Sequence, residues 1–326
     1  MKNEMLLDRV TCSENLWAAF RECSRGKRQK KGYMQFLFAA GEKLALIQQA
    51  LRQGVYQWQG YREFLVKDPK ARLIMAAPFQ DRVVHHALHR VIEPLFEPLF
   101  SQRTYACRKG KGSGRAVAEL LSELQKLGPS RYTVKLDVEN FFASIRHDIL
   151  LQNLLRPLSD RSLDPLLQSL ISSSARSGNT IQRGIPIGNL TSQLFANWML
   201  APVDEHIQIH HPDVIHFRYM DDIVIVSQIK KHALDCGHEL VKLVRDKCDL
   251  RIPYQKFVTL ADAPVPFLGY LLNHDGYKVL ARNRRRFLKH IERLRCQGAR
   301  PSRISKAIVS YEAWTIVPKD LKKELR

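Results

Sequence analysis

The sequence predicts an α+β fold built on antiparallel strands, and three observations carry that prediction. Two apolar, β-branched runs, Val214-Ile215-His216-Phe217 and Ile223-Val224-Ile225-Val226, flank Tyr219-Met220-Asp221-Asp222 and read as a hairpin. Tyr132-Thr133-Val134-Lys135-Leu136-Asp137-Val138 is a further short β-rich run with an acid at its end. Between and around these runs lie stretches with helical spacing of apolar residues.

Taken in order, Ala40 to Arg52 reads as a helix stopped at Gly54, and Tyr61 to Ile74 as a strand pair turning at Asp68-Pro69-Lys70. Asp81 starts a helix on which Val83, Val84, Ala87, Leu88, Val91, Ile92 and Leu95 share a face, with Pro94 and Pro98 marking its end. His85, His86 and His89 lie on that helix without an acidic or cysteine partner, so they read as ordinary helix residues or nucleic-acid contacts. Arg108 to Arg115 is a basic, glycine-rich loop before a helix from Ala116, and it lacks the phosphate-loop pattern. Thr191 to His210 and Lys230 to Lys247 read as helices. Phe267 to Leu280 reads as a strand, a turn at Asp275-Gly276 and a second strand. From Arg282 onward the chain is helical and basic.

The chain has 326 residues, 45 % of them hydrophobic, enough for a large core in two or three subdomains. Its formal charge is +20, from 52 Lys and Arg against 32 Asp and Glu, which implies a polyanionic partner. Nucleic acid fits better than a membrane surface, because no amphipathic, aromatic-anchored basic helix stands out. Affinity should then fall steeply with salt. Arg25 to Lys31 is a solvated basic loop or a further RNA contact. There is no run of eighteen apolar residues and no signal peptide, and the six scattered cysteines read as free thiols of a reducing, cytoplasmic setting.

A lone Asp-Asp pair between strands is most simply an Asp-rich turn. Asp137 changes that reading, because two strands side by side would bring it to Asp221, with Asp222 close by. Clustered carboxylates need a cation, and oxygen-only ligands suit a hard ion such as Mg²⁺. Two such ions roughly 4 Å apart can activate a hydroxyl and stabilise a leaving pyrophosphate, the chemistry of nucleotide polymerisation.

These segments resemble the motifs of reverse transcriptases, in the same order. Asp137-x4-Phe142 is similar to motif A, Gly184 to Asn197 to motif B, Tyr219-Met220-Asp221-Asp222 to motif C, and Pro266-Phe267-Leu268-Gly269-Tyr270 to the primer-grip motif E. The resemblance implies a right-hand polymerase with fingers, a palm carrying an antiparallel sheet, and a small helical thumb. Residues 1–130 would form an N-terminal extension and fingers, 131–150 palm with motif A, 151–182 fingers, 183–276 palm with motifs B to E, and 277–326 thumb. Asp137, Asp221 and Asp222 would be the metal ligands, for two Mg²⁺ ions that Mn²⁺ could replace. Phe142, at the fifth position after Asp137, would be the steric gate that selects deoxynucleotides, a core phenylalanine (as Phe141 could equally be) being the plainer reading, with Val138 at the nucleotide site. Lys70 and Arg72 would meet the triphosphate, Arg72 with the bidentate grip of a guanidinium. Lys256 would protonate the leaving pyrophosphate. Arg108, Gly188, Ser192, Tyr219, Met220, Phe267, Leu268 and Gly269 would face template and primer.

Motif B departs from the Pro-Gln-Gly-x-x-x-Ser-Pro of many bacterial reverse transcriptases: here it reads Pro186-Ile187-Gly188-x-x-x-Ser192-Gln193. This variant resembles the reverse transcriptases of diversity-generating retroelements, as do Glu14-Asn15-Leu16-Trp17, Tyr61-Arg62-Glu63-Phe64 and Thr104-Tyr105-Ala106-Cys107-Arg108. That resemblance implies error-prone cDNA, with misincorporation opposite template adenines, copied from a template RNA in a prokaryotic or phage-encoded system. It also implies dNTPs, an RNA/cDNA duplex and a small basic oligomeric accessory protein as partners, and no membrane. Ile187 and Gln193 would bear on the nascent base pair. The alternatives are a retron-type or intron-type enzyme of ordinary fidelity and a catalytically silent RNA-binding scaffold. Against the intron type, the chain is expected to end soon after the thumb, with no room for a maturase extension or endonuclease; against the retron type, its C-terminal region has no Val-Thr-Gly. Tyr-Met-Asp-Asp in place of Gly-Asp-Asp speaks against an RNA-directed RNA polymerase.

Overall fold

The computed structural model describes residues 5–67, 71–158, 160–174 and 181–315. Its contacts divide the chain into two compact units, Met1–Phe100 with Glu139–Pro202 and Leu243–Arg251, and Ser101–Val138 with Val203–Lys242 and Ile252–Arg326. The α+β class expected from the sequence is the one observed, with antiparallel pairing throughout the named strands.

The first unit opens with α1 (Leu6–Thr11), α2 (Ser13–Cys23), α3 (Lys31–Leu37) and α4 (Ala40–Arg52). Leu44, Ile47 and Leu51 form the buried face of α4, at the spacing of an amphipathic helix. A hairpin follows, β1 (Arg62–Lys67) against β2 (Ala71–Ala76), with Val66 opposite Arg72. Its expected turn at Asp68-Pro69-Lys70, and with it Lys70, lies outside the described residues. Next comes α5 (Phe79–Phe96), which begins two residues before the expected Asp81 and runs through Pro94. Asp81 is not the cap: it is buried and accepts from the Tyr56 hydroxyl at 2.7 Å and the Gln59 amide at 2.9 Å. Pro94 is tolerated because it falls in the last turn, where few further backbone bonds depend on it. Phe20 and Phe36 stack on each other and pack against Phe79 at the start of α5, edge-on and tilted, with centroids 5.3 to 6.1 Å apart, each pair adding about 0.5–1.5 kcal/mol beyond burial. Burial also settles His85, which bonds Thr191 at 2.8 Å and whose imidazole is pushed down to about 3. It is a core residue, not a nucleic-acid contact.

The chain then enters the second unit with α6 (Ser113–Leu127) and β3 (Tyr132–Asp137), and returns to the first for α7 (Phe141–Ser144), α8 (His147–Leu155), α9 (Asp164–Ser172) and α10 (Leu190–Met199). The single helix expected over 191–210 is two helices, α10 and α11 (Ala201–His210), broken at Leu200. Pro202 explains the break, since a proline has no N–H with which to extend the preceding turn.

Beyond it come β4 (Ile215–Tyr219), β5 (Asp222–Ser227), α12 (Lys230–Cys248), β6 (Phe257–Ala261), β7 (Val265–Phe267), β8 (Tyr270–Asn273), β9 (Gly276–Val279), α13 (Ala281–Cys296) and α14 (Pro301–Thr315). One sheet runs β4-β5-β3-β6 and a second β7-β8-β9. Ile223, Val224, Ile225 and Val226 are wholly buried, as a continuous apolar run demands. One face of α6, through Ala116, Val117, Leu120 and Leu124, shares a core with Phe217, Val224, Val226, Val265, Phe267 and Leu272. Each large apolar side chain buried there contributes about 1.5–3 kcal/mol.

The region expected to be one strand from Phe267 is thus two, β7 and β8, joined by a tight turn at Leu268-Gly269. Gly269 sits at φ +95, and a Cβ there would lie 2.6 Å from Asn283 Nδ2 and 2.8 Å from Trp314. Both the backbone and the close approach of α13 and α14 require glycine. On α13, Arg282, Arg284, Arg285, Lys289, Arg293 and Arg295 are all exposed. Among the described residues, no helix is long and apolar enough to cross a membrane.

A buried ion pair ties α11 to β4. Arg218 is fully buried, and its Nε donates to Asp204 at 3.0 and 2.9 Å while Nη2 donates at 2.5 Å. The Thr104 hydroxyl adds a bond to the same carboxylate at 2.6 Å. Burial alone would raise the Asp204 carboxyl, but the Arg218 charge and the bonds from His216 and Arg218 hold it well below the usual range. Removing one partner of such a pair strands the other charge, at a cost of about 3–5 kcal/mol. Asp204→Asn should therefore lower the unfolding free energy of the full chain, measured by urea denaturation, by an amount of that order, and an unchanged unfolding free energy would contradict this account of Arg218.

Candidate active site

Three carboxylates meet at one end of the β4-β5-β3-β6 sheet. β3 pairs with β5 so that Asp137 stands opposite Asp222, and β4 pairs with β5 so that Tyr219 stands opposite Asp222. Only Met220 and Asp221 remain for the hairpin loop. Met220 takes φ +55, the positive value that a two-residue loop of the II′ kind needs at its first position. A side chain there costs about 1–3 kcal/mol, and the surrounding pairing imposes it. Arg218 Nη1 reaches the Met220 carbonyl at 3.4 Å from below.

Two lysines offset the charge. Lys256 Nζ donates to Asp137 Oδ1 at 2.5 Å and to the Val138 carbonyl at 3.0 Å. Lys135 Nζ lies 2.7 and 2.8 Å from the two oxygens of Asp222 and donates to the Pro266 carbonyl at 2.8 Å. Even so, two of the carboxyls, Asp221 and Asp222, are raised. Burial pushes Asp221 up to about 6, and the charges of Asp137 and Asp222 push in the same direction. Burial also raises Asp222, against the pull of Lys135.

This donor set fits a hard divalent cation. It is made of oxygens alone, two of its carboxyls are costly to ionise without more positive charge, and Asp222 Oδ1 is buried without a well-aligned hydrogen bond. Asp137, Asp221 and Asp222 are the residues that would hold such an ion.

The other expected residues fall in several settings. In the second unit, Val138 is 1 % exposed, so its contribution is the carbonyl that Lys256 holds and not a side chain facing a nucleotide. Phe267, expected at the primer, is likewise 1 % exposed and lies in the core beneath Lys135, 5.7 Å from its ammonium. The apolar ring next to α6 is worth more buried than exposed. Leu268, at φ +46, and Gly269 form the turn above it. Tyr219 packs against the same core, and Met220 is largely buried. Arg108 donates to the Ser101 and Thr104 carbonyls at 2.6 and 2.8 Å, holding its own loop.

In the first unit, Arg72 is exposed on β2. Phe141 is 3 % exposed and belongs to the core, whereas Phe142 is only partly buried and packs edge-on against it at 5.6 Å. The Phe142 carbonyl accepts from the Ile185 amide at 2.9 Å, and the Ile187 carbonyl from the Met75 amide at 3.4 Å. These bonds join motif A, motif B and β2. Ile187 is partly buried, Gly188 is exposed at φ +118, Ser192 is buried in α10, and Gln193 is partly exposed.

Lys135 was not among the residues singled out from the sequence. Its signal is its position two residues before Asp137, on the same face of the strand. The buried set of Thr104, Asp204 and Arg218 left no comparable signal.

The sequence matches the family described as reverse transcriptase (RNA-dependent DNA polymerase) over residues 66–272. It is 24 % identical to Protein YkfC of Escherichia coli (strain K12) over 172 residues, 51 % of this chain and 45 % of that protein. It is 23 % identical to the group II intron-encoded protein LtrA of Lactococcus lactis subsp. cremoris, over 51 % of this chain and 28 % of LtrA. With the retron Ec73 reverse transcriptase of Escherichia coli it shares 26 % identity, over 47 % of this chain and 52 % of that one. The chain thus spans about half or less of the length of these relatives. Among solved structures, apo telomerase from Candida tropicalis, truncated from the C-terminal domain, superposes with a TM-score of 0.54 at 13 % identity. That likeness covers 68 % of this chain and 55 % of the telomerase chain, and it is one of fold.

The carboxylate cluster predicts its own cation binding. Mn²⁺ titrated into the full chain and followed by electron paramagnetic resonance should be bound, and Asp137→Asn or Asp221→Asn should weaken that binding by at least about tenfold (about 1.4 kcal/mol). Equal affinity in both variants would remove these residues from the ligand set.

Proposed function

The chain belongs to the reverse transcriptase family, and from that premise we propose that it is an RNA-directed DNA polymerase making error-prone cDNA for a diversity-generating retroelement. The observation that carries the polymerase reading is Asp137 opposite Asp222, with Asp221 on the adjoining loop. The class reading rests on Ile187-Gly188-x-x-x-Ser192-Gln193, which departs from the Gln-Gly-x-x-x-Ser-Pro of the commoner bacterial reverse-transcriptase motif.

When bound at Asp137, Asp221 and Asp222, two Mg²⁺ ions would supply an activated primer hydroxyl and charge stabilisation for the leaving pyrophosphate. The remaining tasks fall to side chains. Lys256, an ammonium already on Asp137, is a proton donor for the pyrophosphate and a fixed positive charge. Arg72 can grip the triphosphate bidentately. The Phe142 ring excludes a 2′-hydroxyl, which selects dNTPs.

Ile187 offers no hydrogen bond to the nascent base pair. A missing polar contact is worth about 1–3 kcal/mol, and about 1.36 kcal/mol is a factor of ten in rate. Discrimination would relax by about one to two decades, most plainly opposite template adenines. The +20 charge and the exposed arginines of α13 suit a template RNA and an RNA/cDNA duplex. A small basic accessory oligomer could then join through the RNA, in the cytoplasm of a prokaryotic host.

Primer extension by the purified chain on an RNA template with Mg²⁺ and four dNTPs, followed by sequencing of the cDNA, tests this reading. Errors should concentrate opposite adenine, and Ile187→Gln or Ile187→Asn should reduce them by about tenfold or more. Faithful cDNA from the wild-type chain would leave a polymerase of retron or intron type.

A further inference from the structure

The end of α11 and the middle of α12 bring together a group of side chains that the polymerase reading does not use. His206 Nε2 and His211 Nε2 each lie 2.9 Å from the same oxygen, Oε2 of Glu239. The three ligand atoms fall within 4.8 Å of one another. Both imidazoles are largely buried, with side-chain exposures of 21 % and 12 %, while Glu239 is half exposed and keeps a path to solvent. The His206 ring packs on His210 at 4.5 Å, and the His211 amide still bonds the Ile207 carbonyl at 2.9 Å, so both imidazoles are held on the helix end.

We propose that His206, His211 and Glu239 form a binding site for a divalent transition-metal cation of the zinc class, built from none of the residues of the aspartate centre. Two imidazole nitrogens with one carboxylate oxygen are a zinc-type donor set, and a water completes four-coordination. Mg²⁺ and Ca²⁺ are disfavoured because they take oxygen ligands. The two histidines already hold the Glu239 carboxyl below its ordinary value by hydrogen bonds, so the one charged ligand is ionised before the cation arrives. Cation binding at both Nε2 atoms takes the tautomer in which each imidazole carries its proton on Nδ1, so the two contacts to Glu239 Oε2 are exchanged for bonds to the metal.

The cation would clasp α11 to α12 just before the chain enters β4. That is the same stretch that Asp204 ties to Arg218 from the other end of α11. The site is thus placed to brace the strand that leads into the Tyr219 to Asp222 hairpin.

The test uses the full chain, stripped with a chelator, held in excess Mg²⁺ to fill the aspartate centre, and titrated with Co²⁺ under visible absorption. One equivalent should produce the intense bands of a tetrahedral nitrogen and oxygen site, and Zn²⁺ should displace it and abolish them. His211→Gln and Glu239→Gln should each weaken Co²⁺ binding by more than about tenfold, since even changes outside the ligand shell cost 10–100-fold. If His211→Gln disturbs the far-ultraviolet circular dichroism, Glu239→Gln, on the exposed side of the site, decides. No such bands in the wild-type chain, or bands of unchanged affinity in the variants, would overturn the proposal.

Discussion

The antiparallel register of β3 against β5 is the constraint on which the centre depends. It sets Asp137 opposite Asp222 and leaves Asp221 on a two-residue loop. A slip by one residue would turn every side chain of β3 to the other face. Asp137 would leave the cluster, and Val134 and Leu136 would leave the core. The same apolar alternation that fixes the fold therefore fixes the carboxylates. Burial makes Asp221 and Asp222 costly to ionise, and Lys135, on β3, and Lys256, in the turn just before β6, offset part of the cluster's charge. Positive charge is still in demand, and a divalent cation held by the three carboxylates would supply it.

The hairpin is held in an unfavourable shape by what lies beneath it. Met220 at φ +55 would relax in an isolated peptide. Here Arg218, one residue before Tyr219, is locked by Asp204 and Thr104, and its backbone pairs with the 103–105 segment through bonds of 2.9 and 3.0 Å. A buried pair of this kind adds little to net stability compared with apolar packing. Its consequence is geometric: the strand that carries the loop has one position, and Asp221 and Asp222 have one relation to Asp137.

Much of this was legible in the sequence because short-range pattern and local chemistry agree. The β-branched runs around Tyr219 to Asp222 gave the hairpin, and Tyr132 to Asp137 gave its neighbour. What was missed depends on pairing at a distance. Asp204 and Arg218 belong to different elements and look like two ordinary surface charges when read along the chain. Glu239 lies 28 residues from His211. The break at Leu200 interrupts an apolar pattern that continues on both sides, so only Pro202 marks it. Phe267 was read for its motif and not for its burial, which the shared core with α6 decides. Both rings follow Asp137 and only motif position favours Phe142, while the structure separates the two by exposure.

The most direct test of the account is single-nucleotide incorporation by the full chain on a DNA-primed RNA template, with Mg²⁺ varied, comparing wild type with Asp222→Asn. The account predicts Mg²⁺-dependent incorporation of the complementary dNTP, and a rate in the variant lower by at least about 10²–10³, as when one transition-state-stabilising group is lost. Incorporation at the wild-type rate by Asp222→Asn would contradict the assignment of this carboxylate centre as the place where the chemistry occurs.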